Sequence, residues 1–263
     1  MRQTLNLVMA MLALGGSVGK AETAPARSLH YHIQRAVFRC PGMNRGLAVD
    51  GQHFWVGEFG GWVRCYDRDG RRLRDRDLGG GTVQYLGHGA AASKEFVATG
   101  ARDFVAVLPI DGGPMRRINH PIKGYACAVA STGTTLWVMN GESPVVFEMD
   151  LQGKLLRKFT AAQGKSSSSR AIALDCDGHL YVLDGTPGRN KSMLEYSPDG
   201  TLIRRHYLAV PATSMAIDPG DRSKKLYTTD FSGDLTVYEY CLAPGEPQAK
   251  QLPKLARPMR YRP

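Results

Sequence analysis

The chain has 263 residues, 30 of them glycine and 15 proline, and a formal charge of +10. That length holds one large β domain or two small ones with a sizeable core, and the glycine and proline content suits a fold with many tight turns. Cys40, Cys65, Cys127, Cys176 and Cys241 include no Cys-x-x-Cys pair, which excludes zinc-ribbon and thioredoxin-like motifs.

Residues 5–18 are almost wholly apolar, follow a lone Arg2 and lead into Gly19-Lys20-Ala21. A run of about 14 apolar residues is short for a membrane span, and the small residues at 19 and 21 suit peptidase cleavage. Residues 1–21 are therefore expected to be a signal peptide, and the mature protein to be secreted or periplasmic. Removing Arg2 and Lys20 from the 34 lysines and arginines, against 24 acids, leaves +8. Such a balance favours anionic neighbours, while export disfavours nucleic acid, and no other segment could cross a membrane. The odd cysteine count leaves at least one thiol unpaired or intermolecular in an oxidising compartment.

From Arg45 to Cys241 a unit recurs roughly every 40 residues, the mark of a radial or stacked repeat. One copy runs 45–50, 54–58 and 63–73; another runs 170–175, 179–184 and 193–202. Ala48, Ala128, Ala173 and Ala216 stand at one equivalent position. A weaker unit between the first two reads 83–86, 95–99, 104–108 and 115–118. Each unit has the pattern of four antiparallel strands. The first is rich in small residues, as crowding near an axis requires. The second carries aromatic and β-branched residues, as in Leu136-Trp137-Val138 and Leu180-Tyr181-Val182. The third alternates and ends in a tight turn such as Asp69-Gly70 or Asp199-Gly200. The fourth is basic, as in Lys154-Leu155-Leu156-Arg157-Lys158, which suits an exposed sheet edge.

Four-stranded sheets repeated about an axis predict an all-β fold, a β-propeller spanning 22–241 and followed by a basic, proline-containing tail, 242–263. No fourth strand follows Cys241, while a spare strand, Leu29–Phe38, precedes the first unit in fourth-strand position. The N-terminal strand is expected to complete the C-terminal blade. The count comes to five blades, with six as the alternative.

The phrases Ala171-Ile172-Ala173-Leu174-Asp175, Asp177-Gly178-His179-Leu180-Tyr181-Val182-Leu183-Asp184 and Glu195-Tyr196-Ser197-Pro198-Asp199-Gly200 resemble NHL-repeat and SMP-30/gluconolactonase-like propellers. The resemblance spans roughly residues 45–241 and implies architecture more than activity. Six blades are commoner in those families. For the lactonases it implies a divalent cation at the central opening, held by Glu, Asn and Asp oxygens. Glu58, Asn140, Asp184 and Asp230 are chemically suitable. The family's first-strand glutamate has no counterpart, since Arg45 and Arg170 occupy that region.

No His-Glu-x-x-His, Gly-x-Ser-x-Gly or Gly-x-Gly-x-x-Gly occurs, and Gly185–Ser192 misses a P-loop because Asn190 replaces its second glycine. The site is instead read from position. In each blade the first-to-second and third-to-fourth turns emerge on one face, here the hairpin face; the other connections open on the opposite, linker face. Arg45, Gln84, Tyr125, Arg170 and Ser214 stand where first strands begin on the linker face. Glu58, Arg102, Asn140, Asp184 and Asp230 stand where second strands end there. Unlike polar residues on a repeating frame suggest a ligand-binding site, although aspartates in such places also bond their own loops. The expected function is a non-catalytic exported binding module for a protein or glycan partner, with no metal or cofactor. The alternative is a metal-dependent hydrolase of the SMP-30-like type, using a divalent cation. Oligomeric state is left open.

Overall fold

The computed structural model describes residues 26–241 apart from 32, 34, 42–43, 59–60, 79–87, 123, 125, 141–142, 162–170, 185–191, 219 and 231–233. The described residues form strands and turns with no helix, so none is long and apolar enough to cross a membrane.

After β1 (Ala26–Tyr31) and β2 (Arg35–Pro41), strands β3 (Asn44–Val49), β4 (Phe54–Glu58), β5 (Trp62–Tyr66) and β6 (Arg72–Asp77) make the first blade. The second holds β7 (His88–Ala92), β8 (Phe96–Gly100), β9 (Phe104–Pro109) and β10 (Arg116–Asn119). The third holds β11 (Ala126–Ser131), β12 (Thr135–Asn140), β13 (Val145–Asp150) and β14 (Leu155–Thr160). The fourth holds β15 (Ile172–Leu174), β16 (Leu180–Asp184), β17 (Ser192–Tyr196) and β18 (Leu202–Leu208). β19 (Ser214–Ile217), β20 (Lys225–Thr229) and β21 (Asp234–Cys241) are completed by β2, which pairs antiparallel with β21. The fold is a five-bladed propeller whose N-terminal strand closes its C-terminal blade.

The N-terminal expectation needs correction. The spare strand predicted at 29–38 is two strands. β1 adds in parallel to the edge of β18, giving the fourth blade a fifth strand, and β2 crosses to the fifth blade. Between them Ile33 is buried with Leu208, Met215 and Tyr240 in the core shared by these two blades, which breaks the run. In the second blade the described first strand is His88–Ala92, and the expected 83–86 lies outside the described residues. Ala90, Ala91 and Ala92 supply the small side chains of this axial strand, all buried.

Every blade repeats one transverse row, read from axis to rim. In the third it is Ala130–Trp137–Glu148–Arg157, in the fourth Ala173–Tyr181–Glu195–Arg204. In the fifth it is Ala216–Tyr227–Glu239–Arg35. The first blade has Ala48–Trp55–Cys65–Arg74 and the second Ala91–Ala98–Val107–Arg116. Ala130, not Ala128, is thus the counterpart of Ala48. The aromatic members are buried between blades, and the rim arginines cover them: Arg157 lies 4.6 Å over Trp137 and Arg74 5.1 Å over Trp55. Together Trp55, Trp137, Tyr181 and Tyr227 form the large apolar bodies between which the sheets stack.

The alanines close the axis to a cavity of about 30 Å³, lined by Ala48, Ala91, Ala130, Ala173 and Ala216 among others, room for about one water. Cys40 and Cys65 are buried, Cys176 is exposed and Cys241 half-buried, and these four form no disulfide with one another; the side chain of Cys127 is outside the described residues.

Candidate functional site

The two faces of the ring are built differently. On the hairpin face the residue after each first strand does the same job in several blades. Asp50 Oδ1 accepts the amides of Gln52 and His53, and Asp175 Oδ1 those of Asp177 and His179. Ser93 Oγ accepts those of Glu95 and Phe96, and Thr132 Oγ1 that of Thr135. Asp218 Oδ1 accepts from Gly220. These side chains hold the turns, as short polar residues do.

On the linker face the residue three positions after the transverse-row member of each second strand (Trp55, Ala98, Trp137, Tyr181 and Tyr227) is Glu58, Ala101, Asn140, Asp184 or Asp230. The register thus brings four sequence-predicted residues to one equivalent position, and puts Ala101 rather than Arg102 at the fifth. Their surroundings differ. Glu58 is buried and pairs through Oε2 with Arg64 Nη2 at 2.7 Å, while Oε1 is buried with no hydrogen-bond partner among the described residues. Burial pushes its carboxyl above the ordinary glutamate value, and the Arg64 charge offsets only part of that. Asp184 is buried against Arg205 and accepts from Ser192 Oγ at 3.4 Å. Asp230 accepts the Thr236 amide at 2.9 Å and the Tyr238 hydroxyl at 3.3 Å, both within its own hairpin. Asn140 is buried at the end of β12.

Where the second blade has only Ala101, a side chain from the next connection takes the place. His120 is buried and its Nε2 donates to the Ala101 carbonyl at 3.3 Å. Nδ1 is buried without a partner among the described residues, and burial pulls the ring below the ordinary histidine value. Burial thus favours the neutral imidazole at this place. Sequence reasoning missed His120, Arg64 and Arg205. The period-2 pattern puts Arg64 on the face of Glu58 across a tight hairpin, but nothing local marks His120. Arg45 lies in β3 with its side chain outside the described residues, as are Tyr125 and Arg170 altogether.

The donor set does not fit a hard cation. Glu58 and Asp184 already face guanidinium groups, Asp230 is engaged by its own loop, and among the described residues no group of three or more His, Cys, Asp or Glu is placed to hold a metal.

No protein-family model and no curated protein matches the chain. Among solved structures it is similar to the glutaminyl cyclase of Myxococcus xanthus, with a TM-score of 0.60 at 14% identity over 81% of this chain and 97% of that one. A chain of a mitotic checkpoint complex superposes at a TM-score of 0.47 and 15% identity over 90% of each chain, which adds no argument. At such identity the first likeness is one of fold, a β-propeller.

Proposed function

We propose that the chain is an exported propeller that binds a protein or glycan partner on its linker face, through Glu58, His120 and Asn140 together with Arg45, Tyr125, Arg170, Asp184 and Asp230. The carrying observation is the contrast between faces: equivalent positions on the hairpin face cap turns, whereas those on the linker face differ. Two of its buried atoms, Glu58 Oε1 and His120 Nδ1, lack a partner among the described residues. An unsatisfied buried polar atom costs about 1–3 kcal/mol, which a ligand group returns on binding. Secretion or placement in the periplasm is part of this reading and rests on residues 1–21. The test is retention of envelope proteins and arrayed glycans by the immobilised mature protein. Glu58→Gln combined with Asn140→Ala should abolish retention, and Arg71→Ala combined with Lys154→Ala on the hairpin side should not. The reverse pattern moves the site to the other face.

One observation favours a second reading, an enzyme at this place. A buried carboxyl raised above its ordinary value in the first blade and an imidazole lowered below its own in the second, on the same face, suit proton transfer. The fold neighbour is named a glutaminyl cyclase, so a peptide with N-terminal glutamine is the first substrate to try, read as ammonia release. Turnover abolished by Glu58→Gln would establish this reading over simple binding. The engagement of Glu58 by Arg64 and of Asp184 by Arg205 weighs against the metal-dependent hydrolase.

A further inference from the structure

The hairpin face carries a feature that the linker-face reading leaves unused. A concavity of about 890 Å³ opens there over the turns of the first three blades, with Gly220 of the fifth blade at its margin. Ala92 and Ile110 give it an apolar floor, and Gln52, His53, Lys94 and Glu95 line its wall. The fourth blade adds nothing to this lining. Lys224 joins the fifth blade to the fourth at that side, with Nζ 2.8 Å from Asp175 and 2.7 Å from Asp177.

The face as a whole is acidic. The turns 50–53, 67–71, 93–95, 110–115, 132–134, 151–154, 175–179, 197–201 and 218–224 hold ten Asp and Glu against six Lys and Arg, four negative charges net. Glu95, Asp111, Asp69 and Asp199 are exposed, so their charge is offered to solvent.

The chain leaves the last blade on this same face. Cys241 ends β21 opposite Lys225, the first residue of β20, and its Sγ lies 3.5 Å from the carbonyl of Ser223 in the 218–224 turn. Cys241, the last described residue, thus lies against the turn whose Gly220 borders the concavity. The charge of the following segment, 242–263, is opposite to that of the face: Lys250, Lys254, Arg257, Arg260 and Arg262 against Glu246 alone, four positive charges net. Leu252, Leu255 and Met259 alternate with the cations and match an apolar floor. Pro244, Pro247, Pro253 and Pro258 favour an extended chain of about 3.1 Å per residue, whereas a small domain is roughly 30 Å across. Reach, polarity and point of departure agree.

We propose that residues 242–263 fold back over the hairpin face and occupy this concavity, a cationic strap that covers one face of the ring and leaves the linker face open. In this arrangement Lys250 and Lys254 stand over the acidic rim near Glu95 and Asp111, and Leu252 and Leu255 rest on Ala92 and Ile110. Salt weakens the contact, since the rim charges are exposed. The inference is independent of the linker-face reading and concerns the opposite side of the molecule.

Zero-length carbodiimide crosslinking of the full mature chain tests it, using an equal mixture of isotopically light and heavy protein. The expected products are light–light and heavy–heavy links from Lys250 or Lys254 to Glu95 or Asp111, suppressed in 0.5 M salt. Hydrogen exchange in parallel should show the amides of 51–53, 94–95 and 133–134 exchanging about tenfold faster when Lys250, Lys254, Arg257, Arg260 and Arg262 are all changed to Glu. This variant alters no residue of the blades, so its fold can be verified by an unchanged melting transition. Mixed light–heavy links making up about half of the Lys250 and Lys254 products, the proportion random pairing between molecules gives, would overturn the intramolecular strap. So would links confined to linker-face carboxylates, or identical exchange in the two proteins.

Discussion

Arg35 reaches Glu239 across 204 residues of sequence, with Nη2 3.1 Å from the Glu239 carboxylate, and so supplies the fifth blade with the rim arginine that each other blade draws from its own fourth strand. The repeat frame thus runs through the seam unbroken. Phe38, three residues on, packs its ring 5.2 Å from Phe54 and 5.0 Å from Tyr66, so the closing strand is fastened to the first blade as well.

Closure should dominate stability. Deleting residues 35–41 removes a fourth strand and exposes a long sheet edge, so cooperative unfolding is lost or the protein aggregates. Arg35→Ala leaves Glu239, 7% exposed, without its guanidinium, while Arg35 itself is 53% exposed. The expected cost is about 1–2 kcal/mol, a drop of several degrees in melting temperature. Lys158→Ala, on an exposed rim, should stay within about 0.5 kcal/mol. A melting curve unchanged by the 35–41 deletion would refute the seam.

Blade-to-blade packing is sharpest at two turn glycines. Gly200 has φ +89°, and a Cβ there would stand 2.9 Å from Phe159 Cγ of the neighbouring blade; a Cβ on Gly70, φ +83°, would collide with Phe38. Left-handed strain of about 1–2 kcal/mol adds to overpacking of about 1–3 kcal/mol. Gly51, φ +91°, has nothing nearer than 3.8 Å. Gly200→Ala and Gly70→Ala should therefore shift the urea midpoint clearly further than Gly51→Ala. Equal shifts would mean that only backbone strain matters.

Acid should loosen the fourth blade through Glu195. Burial alone would raise its carboxyl, but His206 Nε2 at 2.7 Å, Arg204 at 3.2 Å and His179 Nδ1 at 3.0 Å outweigh that and hold it at about 2, against an ordinary 4.5. A carboxylate lowered in the folded state stabilises fully above 4.5, and the contribution fades as pH falls toward 2. The shift corresponds to about 3 kcal/mol. Urea midpoints at pH 7, 4 and 2.5 should fall steeply for the natural chain. Glu195→Gln should begin lower at pH 7 and show a flatter acid limb; parallel curves would assign the acid sensitivity elsewhere.

Fold class, blade count and seam were legible from sequence because their causes are local. Asp-Gly turns, period-2 alternation and small residues at crowded strand starts act over a few residues and recur every blade. The same regularity located Glu58, Asn140, Asp184 and Asp230 at one register, since counting along a strand needs no knowledge of neighbours. What those side chains face was decided by the assembled ring. Arg64 reaches Glu58 across a hairpin, and His120 fills the gap at Ala101 from a different connection. The split of the N-terminal strand likewise depends on a pocket for Ile33 that exists only once two blades meet. Burial and partner charge depend on distances between elements far apart in sequence, and only the closed tertiary structure sets them.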